Sequence, residues 1–213
     1  MNKPLFTGAC TALVTPFLDG KVNYPMLEQL LRRQLETGIK AVVISGTTGE
    51  SPTLSDREKL ELFRRCKAFA GNDMQIICGT GSNDTAHAVS LSIAAQEAGA
   101  DALLVVSPYY NKATPEGLVT HYTAIASAVH IPIILYNVPS RTGVNIQPKT
   151  YAELCKHPNI VATKEASGDI SAVAKIAHLC GDDLMIYSGN DDQIVPIMSL
   201  GGIGVISVLS NVC

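Results

Sequence analysis

The chain has 213 residues, 46% of them hydrophobic and 16% charged, with a formal net charge of −3. That is long enough for one domain with a sizeable core and too apolar for a disordered tail. It has no basic run to line a nucleic-acid groove, and no apolar run reaches the roughly 18 residues a membrane helix needs.

Residues 1–19 are interrupted by Pro4, Pro16 and Asp19 and lack the ordered regions of a secretory leader, so a cytoplasmic chain is expected. The six cysteines include no CxxC pair, so free buried thiols are expected instead of disulfides or a zinc site.

The first β-branched run is residues 12–14. A helix follows, with Asn23 as cap, Pro25 in its opening turn and Gly38 at its end. Residues 41–45 read as a strand. The next helix starts at Ser55 or Asp56, carries Leu62, Cys66 and Phe69 on one stripe, and stops at Gly71. Strand 75–78 leads to a helix capped by Asp84 and ending near Gly99. Strand 102–106 leads to a helix between Thr114 and Val129. Strands 131–136, 160–163, 184–187 and 204–208 follow, the first three trailed by helices at 147–156, 170–179 and 191–200.

The eight strands are rich in Val and Ile and show little polar alternation, which suggests burial on both faces, as in a parallel sheet covered by helices. The spacing predicts a single (β/α)8 TIM barrel domain over residues 1–213. A doubly wound open sheet is the alternative, but no GxGxxG follows the first strand. Such barrels typically take about 250 residues. The pattern ends just after the eighth strand, so a barrel lacking its last helix is expected.

Barrel enzymes carry their chemistry at the C-terminal ends of the strands. Here those ends read Thr15–Pro16, "GTTGES" (46–51), "GTGSN" (79–83), "SPYYNK" (107–112), "YNVPSRTG" (136–143), "TKEAS" (163–167) and "SGND" (188–191). The backbone of "GTTGES" could form a nest for an anion, or be an ordinary turn. Tyr136 could move a proton or simply pack its ring. Arg141 could grip a carboxylate or lie solvated in its loop. Tyr109 and Tyr110 could wall a pocket or sit on a surface turn. Asp191 and Asp192 read as caps of the seventh helix. No HxH or HExxH pairing supports a metal.

Lys164 is the sharpest signal. An amine ending a buried strand loses hydration, which disfavours its charged form. A neutral amine can form a Schiff base with a ketone. The bland alternative is a lysine that snorkels to solvent or pairs with Glu165. Strand alternation sends these neighbours to opposite faces, so one of the two faces the barrel interior.

Together, "GTTGES", "SPYYNK", "YNVPSRTG" and "TKEASGD" resemble, in order and spacing, the motifs of the dihydrodipicolinate synthase family. This family belongs to the pyruvate-dependent class I aldolases, which also include N-acetylneuraminate lyase. The resemblance implies that Lys164 forms the imine with pyruvate and that Tyr136 relays protons. It implies that Thr47 links Tyr136 to Tyr110, which reaches across a dimer interface into the neighbouring site. It puts the pyruvate carboxylate on the backbone of Thr47 and Thr48, with Gly189 and Ile206 lining that pocket. Arg141 would bind the carboxylate of aspartate semialdehyde.

The implied activity is 4-hydroxy-tetrahydrodipicolinate synthesis in lysine and diaminopimelate biosynthesis, with no metal or dissociable cofactor. The expected assembly is a homo-oligomer, a dimer or a tetramer of two dimers, if the full-length chain is present. Ser51, Asn83 and Tyr109 match parts of the family's allosteric lysine site. His87 stands where many regulated members have Glu, and Asp56 and Lys59 where some have His. The family's C-terminal helical region has no counterpart in this sequence, so low stability is expected of the chain alone. A sugar-acid aldolase and a non-catalytic fragment remain the alternatives.

Overall fold

The computed structural model describes residues 4–213. The first three residues, where the segment tested for a leader begins, lie outside the described residues.

Eight parallel strands close into a barrel. They are β1 (Gly8–Ala12), β4 (Ala41–Ile44), β5 (Gln75–Gly79), β6 (Ala102–Val106), β7 (Ile133–Asn137), β8 (Ile160–Glu165), β9 (Met185–Ser188) and β10 (Gly204–Ser207). Each pairs with its neighbours in sequence, and β1 closes the ring by pairing with both β4 and β10. The first strand is Gly8–Ala12, earlier than the run at 12–14 suggested. The backbone of Gly8, Ala9, Cys10 and Thr11 registers against β10, and that pairing overrides local propensity.

Two short strands, β2 (Phe17–Leu18) and β3 (Lys21–Val22), form a hairpin outside the barrel. Its turn is Asp19–Gly20, with φ of 51° and 73°. Positive φ at both central residues suits a two-residue hairpin turn, and Asp-Gly supplies it at low cost.

The outer helices follow from their caps. In α1 (Tyr24–Glu36), Asn23 accepts from the Met26 N–H, with Pro25 in the first turn. In α2 (Asp56–Ala70), Ser55 and Glu58 form a reciprocal capping box. Asp84 caps α3 (Thr85–Glu97), and Thr114 caps α4 (Pro115–Ser127). The short helix α5 (Pro139–Thr142) lies inside the "YNVPSRTG" stretch, where the sequence suggests a Pro–Ser turn after the strand. Then come α6 (Pro148–Leu154), α7 (Ile170–Cys180) and α8 (Ile194–Ser199). A 3-10 turn, Leu209–Asn211, follows β10.

Alternation along each strand sorts side chains into two apolar layers. Cys10, Val43, Ile77, Leu104, Ile134, Ala162 and Ile206 fill the barrel interior. Val42, Ile76, Leu103, Leu135 and Ile186 face outward under the helices. Phe6, just before β1, stacks on Tyr187 with centroids 4.2 Å apart, and its carbonyl accepts from the Tyr187 hydroxyl at 2.9 Å.

Candidate active site

β8 runs two residues further than its apolar core, so Lys164 and Glu165 belong to the strand and are both buried. Alternation sends Lys164 inward. It is 4% exposed and has no ion-pair partner among the described residues. Its register partner on β7 is Tyr136, and Lys164 Nζ lies 4.3 Å from the centre of the Tyr136 ring. Burial lowers the Lys164 pKa to about 8. Cys10 would oppose this as a thiolate, but burial drives the Cys10 pKa far up and it stays a neutral thiol. Asp191 weakly opposes the shift and Arg141 adds to it.

Gly189 and Ile206 make the floor for this lysine. A Cβ at Gly189 would stand 2.7 Å from Ala166 Cβ and 3.1 Å from Lys164 Cγ, so the glycine leaves room for the lysine stem. Ile206 is fully buried on β10, in register with Cys10.

A cavity of about 790 Å³ opens on the other side of Tyr136. Thr47, Tyr110, Tyr136 and Arg141 line it together, with Ser51, His87 and Tyr109 on its walls. Asn83 is half-buried and off the lining, as is Thr48, the neighbour of Thr47. Lys164, Gly189 and Ile206 are also off the lining, and Tyr136 is the residue that joins the two groups. Burial raises the Tyr136 phenol pKa, while the nearby Thr47 hydroxyl and the charge of Arg141 pull it down.

The "GTTGES" loop is held in an unusual shape. Ser45 and Glu50 have φ of 56° and 55°, in the left-handed region. The Thr15 hydroxyl donates to Gly49 O at 2.7 Å, and Ser51 N donates to Gly46 O at 3.3 Å. The N–H groups of Thr47 and Thr48 have no acceptor among the described residues, which leaves them free for an anion.

Charge on the cavity wall is of one sign. Lys59, Lys112 and Arg141 line it, and no Asp or Glu does among the described residues. Just behind the lining, Asp56 contacts His87 Nε2 at 2.8 Å and Lys59 at 3.9 Å. Burial lowers the Lys59 pKa, against the pull of Asp56. Tyr110 is 86% exposed with φ 76°, a strained conformation for a bulky side chain.

Two readings of the sequence change. Asp191 is not the cap of α8; its Oδ2 accepts from the N–H of Val208 and Leu209, tying the turn after β10 to the end of β9. Glu165, considered only as a non-partner of Lys164, is the centre of a buried cluster. Its carboxylate accepts from Asn137 Nδ2 at 3.1 Å to each oxygen, from the Tyr151 hydroxyl at 2.9 Å and from Ser167 N at 2.8 Å. The available signal was a carboxylate in an apolar strand, which requires donors if buried.

The Dihydrodipicolinate synthetase family model matches residues 5–213. The chain belongs to this family. A 4-hydroxy-tetrahydrodipicolinate synthase from Thermoanaerobacter sp. (strain X514) is 53% identical over 210 residues, covering 98% of this chain and 71% of that protein. The crystal structure of dihydrodipicolinate synthase from Thermotoga maritima superposes with a TM-score of 0.96 at 42% identity, covering 98% of this chain and 72% of that one. The enzyme from Acinetobacter baumannii, solved complexed with pyruvate, has a TM-score of 0.94 at 44% identity, covering 97% of this chain and 71% of that one.

Proposed function

We propose that the chain is a 4-hydroxy-tetrahydrodipicolinate synthase that condenses pyruvate with aspartate semialdehyde through an imine on Lys164. The observation that carries this reading is the buried Lys164 amine, without an ion-pair partner among the described residues and with a pKa lowered to about 8, set against Tyr136 at the C-terminal end of a barrel strand. A fraction of such an amine is neutral at physiological pH, and only the neutral form attacks a ketone.

The steps follow from the groups present. Lys164 adds to the pyruvate ketone and water leaves, giving an iminium that withdraws electrons from the methyl carbon. Tyr136, with Thr47 as its relay, takes a methyl proton, and an enamine results. The enamine carbon attacks the aldehyde, and the semialdehyde's amine then closes the ring and displaces Lys164. The free N–H groups of Thr47 and Thr48 suit the pyruvate carboxylate, and Arg141 suits the carboxylate of the second substrate. A wall of cations without carboxylates fits two anionic substrates.

The exposure of Tyr110 supports a homo-oligomer in which this ring enters a second copy's site. The same cationic wall argues against lysine as an effector. Its side-chain ammonium would meet Lys59, while Asp56 is already engaged by His87 and Lys59. The reading is therefore a synthase insensitive to lysine.

Incubation with pyruvate and borohydride, followed by peptide mass spectrometry, tests the imine: a reduced adduct on Lys164 is expected, and its absence sinks the proposal. Turnover of aspartate semialdehyde without cleavage of N-acetylneuraminate separates a synthase from a sugar-acid aldolase.

A further inference from the structure

We infer that Glu165 is a positioning residue for the imine chemistry, an inference that rests on the Schiff-base reading above. It is 1% exposed and touches nothing in the cavity, yet it holds the strands that carry Lys164 and Tyr136 in one register. The geometry is a matched pair of pairs. Tyr136 registers with Lys164 on the inner face, and Asn137 registers with Glu165 on the outer face. Any slip between β7 and β8 that moves Asn137 from Glu165 moves Tyr136 from Lys164 by the same amount.

The outer pair is locked on several sides. Asn137 Nδ2 donates to both Glu165 oxygens and to Asn145 Oδ1, and Asn137 Oδ1 accepts from Ile146 N at 3.1 Å. Tyr151 brings α6 onto the same carboxylate, and its hydroxyl accepts from Thr163 on β8 at 3.3 Å. Ser167 N closes the loop that follows Lys164. Ala166, between Glu165 and Ser167, donates to Asn137 O at 2.9 Å and presses on Gly189, which borders the lysine stem.

Three donors converge on Glu165, so a carboxylate with two acceptor oxygens satisfies them and an amide does not. In Glu165→Gln one NH₂ faces donors at close range. The charge of Glu165 is not among the influences on the Lys164 pKa. Its effect on the amine is therefore geometric, and the pH dependence of adduct formation is expected to stay in place.

The test compares the unaltered chain with Glu165→Gln, Asn137→Asp and the double variant. The readout is the rate of borohydride-trapped pyruvate adduct on Lys164, per folded molecule and at saturating pyruvate. Misplacing reacting groups by an ångström can cost up to about a hundredfold in rate. Each single variant is expected to lose about tenfold at saturation, with half-saturating pyruvate changed less than about twofold. The double variant gives a Gln donor to an Asp acceptor; with the Tyr151 hydroxyl turned to accept and the Asn145 amide turned to donate, every group again has a partner, and recovery to within about threefold of the unaltered rate is expected. Tyr151→Phe removes one donor, keeps the ring, and serves if the others do not fold; a loss of about threefold at saturation is expected.

Single-variant rates that match the unaltered chain, losses that only follow the folded fraction, or a double variant no faster than the slower single overturn the inference. So does an unchanged Tyr151→Phe where that variant decides. If the unaltered chain itself traps no pyruvate on Lys164, the Schiff-base reading fails first and this inference falls with it.

Discussion

Lys164 and Tyr136 are register partners on adjacent strands, and the lysine amine stands 4.3 Å from the centre of the tyrosine ring. The ring face offers a weak attraction to an ammonium but no counter-ion. The protein therefore keeps Lys164 at a cost to its own stability. In Lys164→Met, adduct formation is expected to vanish while stability at pH 7 rises. The lowering from 10.5 to about 8 corresponds to a gain on the order of 3 kcal/mol. The sign follows from linkage. Below about pH 8 the amine is charged in both states and the burial penalty is full. Between about 8 and 10.5 the unfolded chain binds more protons, so the native chain gains stability as pH rises. The advantage of Lys164→Met should shrink across that window, as urea unfolding at several pH values would reveal.

The same lowering is expected to govern the pH dependence of imine formation. The neutral fraction of Lys164 rises with pH and levels off above about 8. Trapping rates at low pyruvate are expected to climb about tenfold per unit below that point and then flatten. A profile still climbing at pH 10 would place the amine at its ordinary value and remove the case for activation by burial.

Much of this site was readable because its logic is local. Lys164 ends a β-branched run, and period-two alternation alone separates it from Glu165. Caps at Asn23, Ser55 and Asp84 lie beside the helices they start. What escaped reading depends on contacts distant in sequence. Asp191 looked like a helix cap, yet its partners are 17 and 18 residues away. Glu165 finds Asn137 at 28 residues' separation and Tyr151 at 14. The hairpin at Asp19–Gly20 is different: its Asp-Gly signal was present, but the flanking strands have only two residues each and little pattern to read.

Tyr136 is asked to move a proton, which its ring alone cannot do. In Tyr136→Phe the packing over Lys164 remains and the phenol is lost. Condensation turnover is expected to fall by about a hundredfold or more, the usual range for a proton-transfer group. The Lys164 adduct with pyruvate should still form but more slowly, since water leaves the lysine–ketone adduct with a proton that the phenol supplies. Thr47→Val should act in the same direction and more weakly, since Thr47 lines the cavity with Tyr136 and influences its phenol without being the group that takes the proton. Equal turnover in Tyr136→Phe and the unaltered chain would show that another group carries the proton.

Gly79 tests whether the cavity depends on its backbone. A Cβ there would stand 2.2 Å from Ser45 O, where Ser45 holds the left-handed turn that opens "GTTGES". The neighbour is backbone and cannot swing away. Gly79→Ala is expected to destabilise the chain by about 3 kcal/mol or more, the upper range for overpacking. Thermal unfolding gives the stability. Pyruvate trapping at a temperature where the variant is folded shows whether the Thr47–Thr48 loop has moved, and weaker half-saturation is the expected sign.

Lysine insensitivity is the outcome expected from the wall of the cavity. Ser51, His87 and Tyr109 could hold the amino-acid end of a free lysine, but its side-chain ammonium needs an acceptor with negative charge. The cavity lining supplies Lys59, Lys112 and Arg141 instead. Asp56 faces His87 and Lys59, and its carboxylate is already in contact with both. Bringing a second ammonium beside Lys59 opposes binding by an amount that like-charge contacts put at several kcal/mol. Lysine at millimolar concentration is therefore expected to change turnover by less than about twofold. The double variant Lys59→His with His87→Glu removes one cation and adds a carboxylate, which should create lysine binding measurable by calorimetry. Inhibition of the unaltered chain by lysine would mean that Asp56 leaves His87 to meet the ligand, and Asp56→Asn would then abolish it.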